Sequence, residues 1–167
     1  MRVLGVDPGT RRLGYALIES TYGHLHPHDY GNLDFSSSLP IEQRLYQIHS
    51  QLLSMIGSYS PNEIAIEEPF LGAGNRQFVG PAFAVGQAQA AVLIAAAAHG
   101  IPVFRYAPAQ VKSSVADHGA ASKEQVQAMV VMILSLSEEP STFDASDALA
   151  IALCHLRQRD LDSIINR

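Results

Sequence analysis

Four carboxylates sit where a strand ends or where a helix is otherwise apolar. Asp7 closes the run Arg2-Val3-Leu4-Gly5-Val6-Asp7, just ahead of Pro8-Gly9-Thr10. Glu67 closes Glu63-Ile64-Ala65-Ile66-Glu67, shortly before Pro69. Asp144 and Asp147 lie three apart in Phe143-Asp144-Ala145-Ser146-Asp147-Ala148-Leu149, a spacing that puts both on one helix face. Burying acids in so apolar a helix is costly unless something pairs with them. Two carboxylates ~4 Å apart repel by about 4 kcal/mol at an effective dielectric near 20. Four in one cluster therefore call for a cation. Oxygen donors with no His or Cys motif select a hard ion, Mg²⁺ or Mn²⁺.

Each acid also has a plainer reading. Asp7 suits a turn before Pro-Gly. Asp144 suits the acid of a capping box with Ser141 as N-cap. Glu67 and Glu68 suit solvated charges at a strand end. Strand alternation separates these last two, since Glu67 shares a face with Ala65 and Glu68 with Ile64 and Ile66. Convergence on one ion site accounts for all of the acids together.

The elements that must position them follow from pattern. Strands are predicted at 2–7, about 13–20 and about 23–34, with Gly23 turning the second pair. Pro40 opens a helix whose Ile41, Leu45, Ile48, Leu52 and Met55-Ile56 share a face, and Ser60-Pro61-Asn62 ends it. Then come a strand at 63–67, a Gly-rich loop at 71–80 and an Ala-rich helix at about 82–98 stopped by His99-Gly100. A fifth strand at 102–106 precedes helices at about 108–116, 123–135 and 142–159. Ser122 and Gln125 form a capping box for the second of these. The order predicts an α/β fold, a mixed five-stranded sheet flanked by helices, with residues 1–167 as a single domain.

Composition narrows the function. At 47% hydrophobic and 16% charged residues the chain is a folded protein. Its one cysteine, Cys154, excludes an internal disulfide and a Cys-based zinc site. No basic-then-apolar leader opens it, and Gln87 and Gln89 mark the Ala-rich stretch as a packed helix, so a cytoplasmic protein with no membrane contact is expected. The net charge of −5 works against nucleic acid. Two divalent cations would bring it to −1, since −5 + 4 = −1.

The same residues carry a family resemblance. Gly5-Val6-Asp7-Pro8-Gly9-Thr10 with Leu13-Gly14-Tyr15, then Ala65-Ile66-Glu67, Gln110-Val111-Lys112, and Asp144-Ala145-Ser146-Asp147-Ala148-Leu149 resemble, in order, the RuvC family of Holliday junction resolvases. The likeness spans about residues 1–158. It implies an RNase H-like fold and a crossover junction endodeoxyribonuclease, which nicks two opposed strands of a four-way DNA junction during recombination and repair. It also implies a homodimer working with a branch-migration helicase complex of the RuvA and RuvB type. The family's four catalytic and metal-binding acids fall on Asp7, Glu67, Asp144 and Asp147, holding two Mg²⁺ or Mn²⁺ ions per site. Two such ions activate a water and stabilise the leaving 3′ oxygen, leaving 5′-phosphate and 3′-hydroxyl ends.

For DNA contacts the resemblance points to Lys112 and Lys123, the only lysines in the chain. Lys123 would sit at a helix N-terminus, which suits a phosphate. Phe70 matches an aromatic that stacks on bases, and Asn75 and Arg76 in the following loop are candidate contacts. Three features depart from the family pattern: a longer, less basic loop after Phe70, Asp117 in place of a common Gly, and the overall acidity. Ala84, Ala88, Ala91 and Ala95 suit either a two-fold dimer contact or ordinary packing on the sheet. The alternatives are an RNase H-like nuclease for another branched or hybrid nucleic acid, and a non-catalytic junction-binding protein. An actin-type ATPase, suggested by Asp-x-Gly-Thr, would need a second phosphate loop that the chain lacks.

Overall fold

The structure, a computed structural model, describes residues 1–68 and 79–165. Ten elements follow in order: β1 (Arg2–Asp7), β2 (Arg12–Thr21), β3 (His24–Asp34), α1 (Ile41–Tyr59), β4 (Glu63–Glu67), α2 (Val79–Ala98), β5 (Val103–Tyr106), α3 (Pro108–Ala116), α4 (Lys123–Leu134) and α5 (Phe143–Ile165). The strands form one sheet in the order β3-β2-β1-β4-β5. The first three strands pair antiparallel, whereas β1–β4 and β4–β5 are parallel. Tyr22 and Gly23, both at positive φ, make the tight turn between β2 and β3.

Alternation along the strands sorts side chains to two cores. Leu4, Val6, Ile64 and Ile66 face α1 and α2, where Ile48, Leu52, Val92 and Ala95 close over them. Val3, Ala16, Ala65 and Tyr106 face α3, α4 and α5. Ala88, Ala91 and Ala95 are buried in the first core, so packing on the sheet accounts for them. Among the described residues, no helix is long and apolar enough to cross a membrane.

Helix α5 lies directly on the backbone of β1 and β2. A β-carbon at Gly5 would overlap the Ala148 carbonyl oxygen, and one at Gly14 the Asp144 carbonyl oxygen. At its other half the helix is tied by polar contacts. His155, fully buried, meets Tyr106 Oη at 2.6 Å and Glu63 Oε2 at 2.5 Å. Arg159 pairs with Glu63 and lies 4.4 Å above the Phe104 ring. Burial, only partly opposed by Glu63, holds the His155 imidazole below its usual pKa.

Two helices exceed their expected limits. α2 begins at Val79 instead of about 82. α5 continues to Ile165 instead of stopping near Arg159. No Gly or Pro follows Arg159, and Gln158 donates to Asp162 across one turn (3.0 Å), so the helix has no reason to stop there.

Because Gly14 bears on helix backbone, the sheet cannot accept a methyl group there. Gly14→Ala is expected to cost about 3 kcal/mol and to lower the melting temperature by roughly 10 °C. Thermal unfolding followed by circular dichroism reads this, and an unchanged melt would show that α5 does not rest on β2.

Candidate active site

The β1–β4 register, Val6 opposite Ile66, brings Asp7 and Glu67 side by side where the two parallel strands end. Both continue the alternation that faces α5. On the other flank Asp7 pairs with Gly14 of β2, and the first turn of α5 packs over that glycine. Thr142 Oγ1 accepts from the Ala145 amide (3.2 Å) and so caps α5, while donating to Asn32 Oδ1 at 3.2 Å. The alternative reading of Asp144 as the acid of a capping box with Ser141 is therefore not met, since Thr142 caps the helix. The box at Ser122 and Gln125 is formed.

The charges act on one another. Burial first, then the charges of Asp147, Glu67 and Asp144, push the Asp7 carboxyl up to about 7, with Lys123 pulling the other way. Glu67 is also pushed up to about 7 by burial and by Asp147, against the pull of Lys123 and Lys112. Lys123 Nζ stands 3.0 Å from Asp147 Oδ2. Burial lowers its pKa, but the hydrogen bond to Asp147 and the charges of Asp147, Asp7 and Asp144 raise it further. All four predicted acids thus share one electrostatic neighbourhood, and both lysines act on it.

Among the described residues, no three His, Cys, Asp or Glu side chains stand close enough to hold an ion as they are. Lys123 on Asp147 and Arg12 beside Asp144 hold two of the carboxylates, and the acids repel one another. The donor set itself is all oxygen and suits a hard divalent ion.

Three residues around the acids were not singled out by sequence. Arg12 donates from Nε to Asp34 (2.6 Å) and lies 3.7 Å from Asp144. Gln89, buried in α2, donates to the Glu67 carbonyl at 2.5 Å and holds the end of β4. Its signal was an amide inside an otherwise apolar helix. Thr142 was one residue from the expected cap. Asp117 caps α3 in the left-handed conformation (φ 62°), which is why glycine is favoured at such a position. Phe70, Asn75 and Arg76 lie outside the described residues.

A mixed sheet in this order, helices on both faces and acids gathered at the ends of its central strands define an RNase H-like nuclease fold. The family model for "Crossover junction endodeoxyribonuclease RuvC" matches residues 3–155. The chain belongs to the RuvC family. It is 45% identical to the crossover junction endodeoxyribonuclease RuvC of Dehalococcoides mccartyi, over 100% of this chain and 98% of that protein. The Thermus thermophilus RuvC in complex with Holliday junction substrate superposes with a TM-score of 0.87 at 36% identity, covering 97% and 96% of the two chains. The yeast mitochondrial resolvase Ydc2, at 14% identity and a TM-score of 0.69 over 99% and 83%, shares the fold.

The raised pKa values set a pH dependence of the metal-free chain. A carboxyl whose folded pKa exceeds its unfolded one keeps its contribution below the unfolded value and loses it as pH rises through the folded one. For Asp7 that window runs from 3.8 to about 7. Asp7→Asn should therefore match wild type near pH 4 and become more stable by on the order of 2–4 kcal/mol above pH 7. Urea unfolding in EDTA across pH measures it. A gap that does not widen with pH would mean Asp7 is not in a repulsive cluster.

Proposed function

We propose that this chain resolves four-way DNA junctions by paired nicks in two opposed strands, during recombination and repair. The observation that supports the reading is the electrostatic influence of Glu67, Asp144 and Asp147 on Asp7 at the end of β1. Mg²⁺ or Mn²⁺, two ions per site, would be held by these four carboxylates. Bound there, the ions supply Lewis-acid activation of a water and charge neutralisation at the leaving 3′ oxygen.

The protein side of the reaction follows from the site. Asp7 and Glu67 give up their protons near neutral pH as positive charge arrives, so occupation strengthens as pH rises through about 7. Asp147 then has a competing partner, and Lys123 is freed to meet a phosphate beside the acids. Lys112 supplies a second positive charge on the same side. No Ser, Cys or Tyr nucleophile is invoked. Direct hydrolysis leaves 5′-phosphate and 3′-hydroxyl ends.

A four-way junction has two equivalent strands to cut, which calls for two sites related by a two-fold axis. A homodimer meets that requirement, and a branch-migration complex of the RuvA and RuvB type would present the junction to it. We place the protein in the cytoplasm.

The test is cleavage of a synthetic mobile junction, a linear duplex and an RNA–DNA hybrid, each with Mg²⁺, Mn²⁺ or EDTA. Cutting of the junction alone, and only with metal, is expected. Preferred cutting of the hybrid would make this a ribonuclease, and binding without cutting a junction-binding module. Asp7→Asn should abolish cleavage and leave junction binding with Mg²⁺ intact; equal cleavage by the variant defeats the site assignment. Lys112→Ala should flatten the slope of log K against log[salt] by about 1.

A further inference from the structure

We infer that the cleft beside the Pro8–Arg11 turn is a second anchoring site for a DNA-backbone phosphate, separate from the four acids; it rests on the junction-cutting function proposed above. The cleft, about 790 Å³, lies between that turn, the start of α1 and the start of α2. Among the described residues its lining carries three guanidinium groups, Arg11, Arg12 and Arg44, and no carboxylate. With Arg12 paired to Asp34 and Asp144, Arg11 and Arg44 leave the cleft positive in a chain of net charge −5.

The three arginines differ in what holds them. Arg12 is committed to Asp34 and Asp144. Arg11 is exposed and makes no side-chain hydrogen bond or ion pair among the described residues. Arg44 donates from Nη1 to the Thr10 carbonyl (3.1 Å), yet its Nε is buried without any acceptor. Among the described residues it is the only buried side-chain polar atom so left. A cation with a donor left unmet has its charge poorly compensated, and an anion against the part of Arg44 that lines the cleft offsets that charge. Phosphate oxygens match a guanidinium fork in charge and geometry.

Placement favours a nucleic-acid strand over a free ion. Arg44 is bonded to the turn that carries Asp7, and Arg11 follows Asp7 by four residues. A backbone spanning four residues reaches at most roughly 14 Å. A phosphate in the cleft would thus lie within that distance of Asp7, a few nucleotides from the one being cut. Phe83, 68% exposed at the cleft, offers a ring face to the sugar or base between them.

The experiment measures junction binding by the full chain in the Asp7→Asn background with Mg²⁺, across a salt series. Adding Arg11→Gln or Arg44→Gln should each weaken binding about tenfold and reduce the slope of log K against log[salt] by about 0.9. Unchanged affinity and slope in R11Q would overturn the cleft while leaving the junction reading standing. A parent that binds junction no better than duplex would overturn both. Should R44Q fail to fold by circular dichroism, R11Q decides alone. ATP or inorganic phosphate displacing junction from the parent, with neither arginine variant altering the salt slope, would assign the cleft to free phosphates and overturn the backbone assignment.

Discussion

Direct backbone contact between helix α5 and the strands β1 and β2 is the constraint on which the site depends. Only residues without a side chain permit it, and they stand at Gly5 and Gly14. The contact lowers the first turns of α5 to the level of the strand ends. Asp144 and Asp147 then reach the same neighbourhood as Asp7, which lies 137 and 140 residues away in sequence. A methyl group at either glycine would lift the helix, and the acids with it. Packing and chemistry here are one requirement.

The acids are held against their own repulsion. Asp7 and Glu67 are both pushed to about 7 because burial and like charges act in the same direction. The rest of the structure tolerates this through partial neutralisation: Lys123 leans on Asp147, Arg12 reaches toward Asp144, and Gln89 fixes the Glu67 backbone. Such a cluster is a poor device for stability and a good one for cations. It also concentrates part of the negative charge of the chain at one end of the sheet.

Most of the frame was legible because burial imposes short periods. Val3 to Val6 and Ile64 to Ile66 read as strands covered on both faces, and Ile48, Leu52 and Ile56 as one helix face. What escaped depended on contacts between distant residues. The cap of α5 fell on Thr142 instead of Ser141 because Thr142 also bonds Asn32 of β3. The pairing of Lys123 with Asp147, 24 positions on, is another such contact. Arg12 carried no sequence signal because its partners, Asp34 and Asp144, lie on other elements. The length of α5 was underestimated because its final stretch is exposed and no buried face sets a period there.

The cluster of His155, Glu63, Arg159 and Tyr106 grips α5 at the end remote from the acids. His155 lies eight residues beyond Asp147, about 12 Å along the axis. A beam held at two separated points can neither slide nor roll. Its position owes nothing to the surface loops, so those loops are free to diverge in length and charge while the cutting chemistry stays in place.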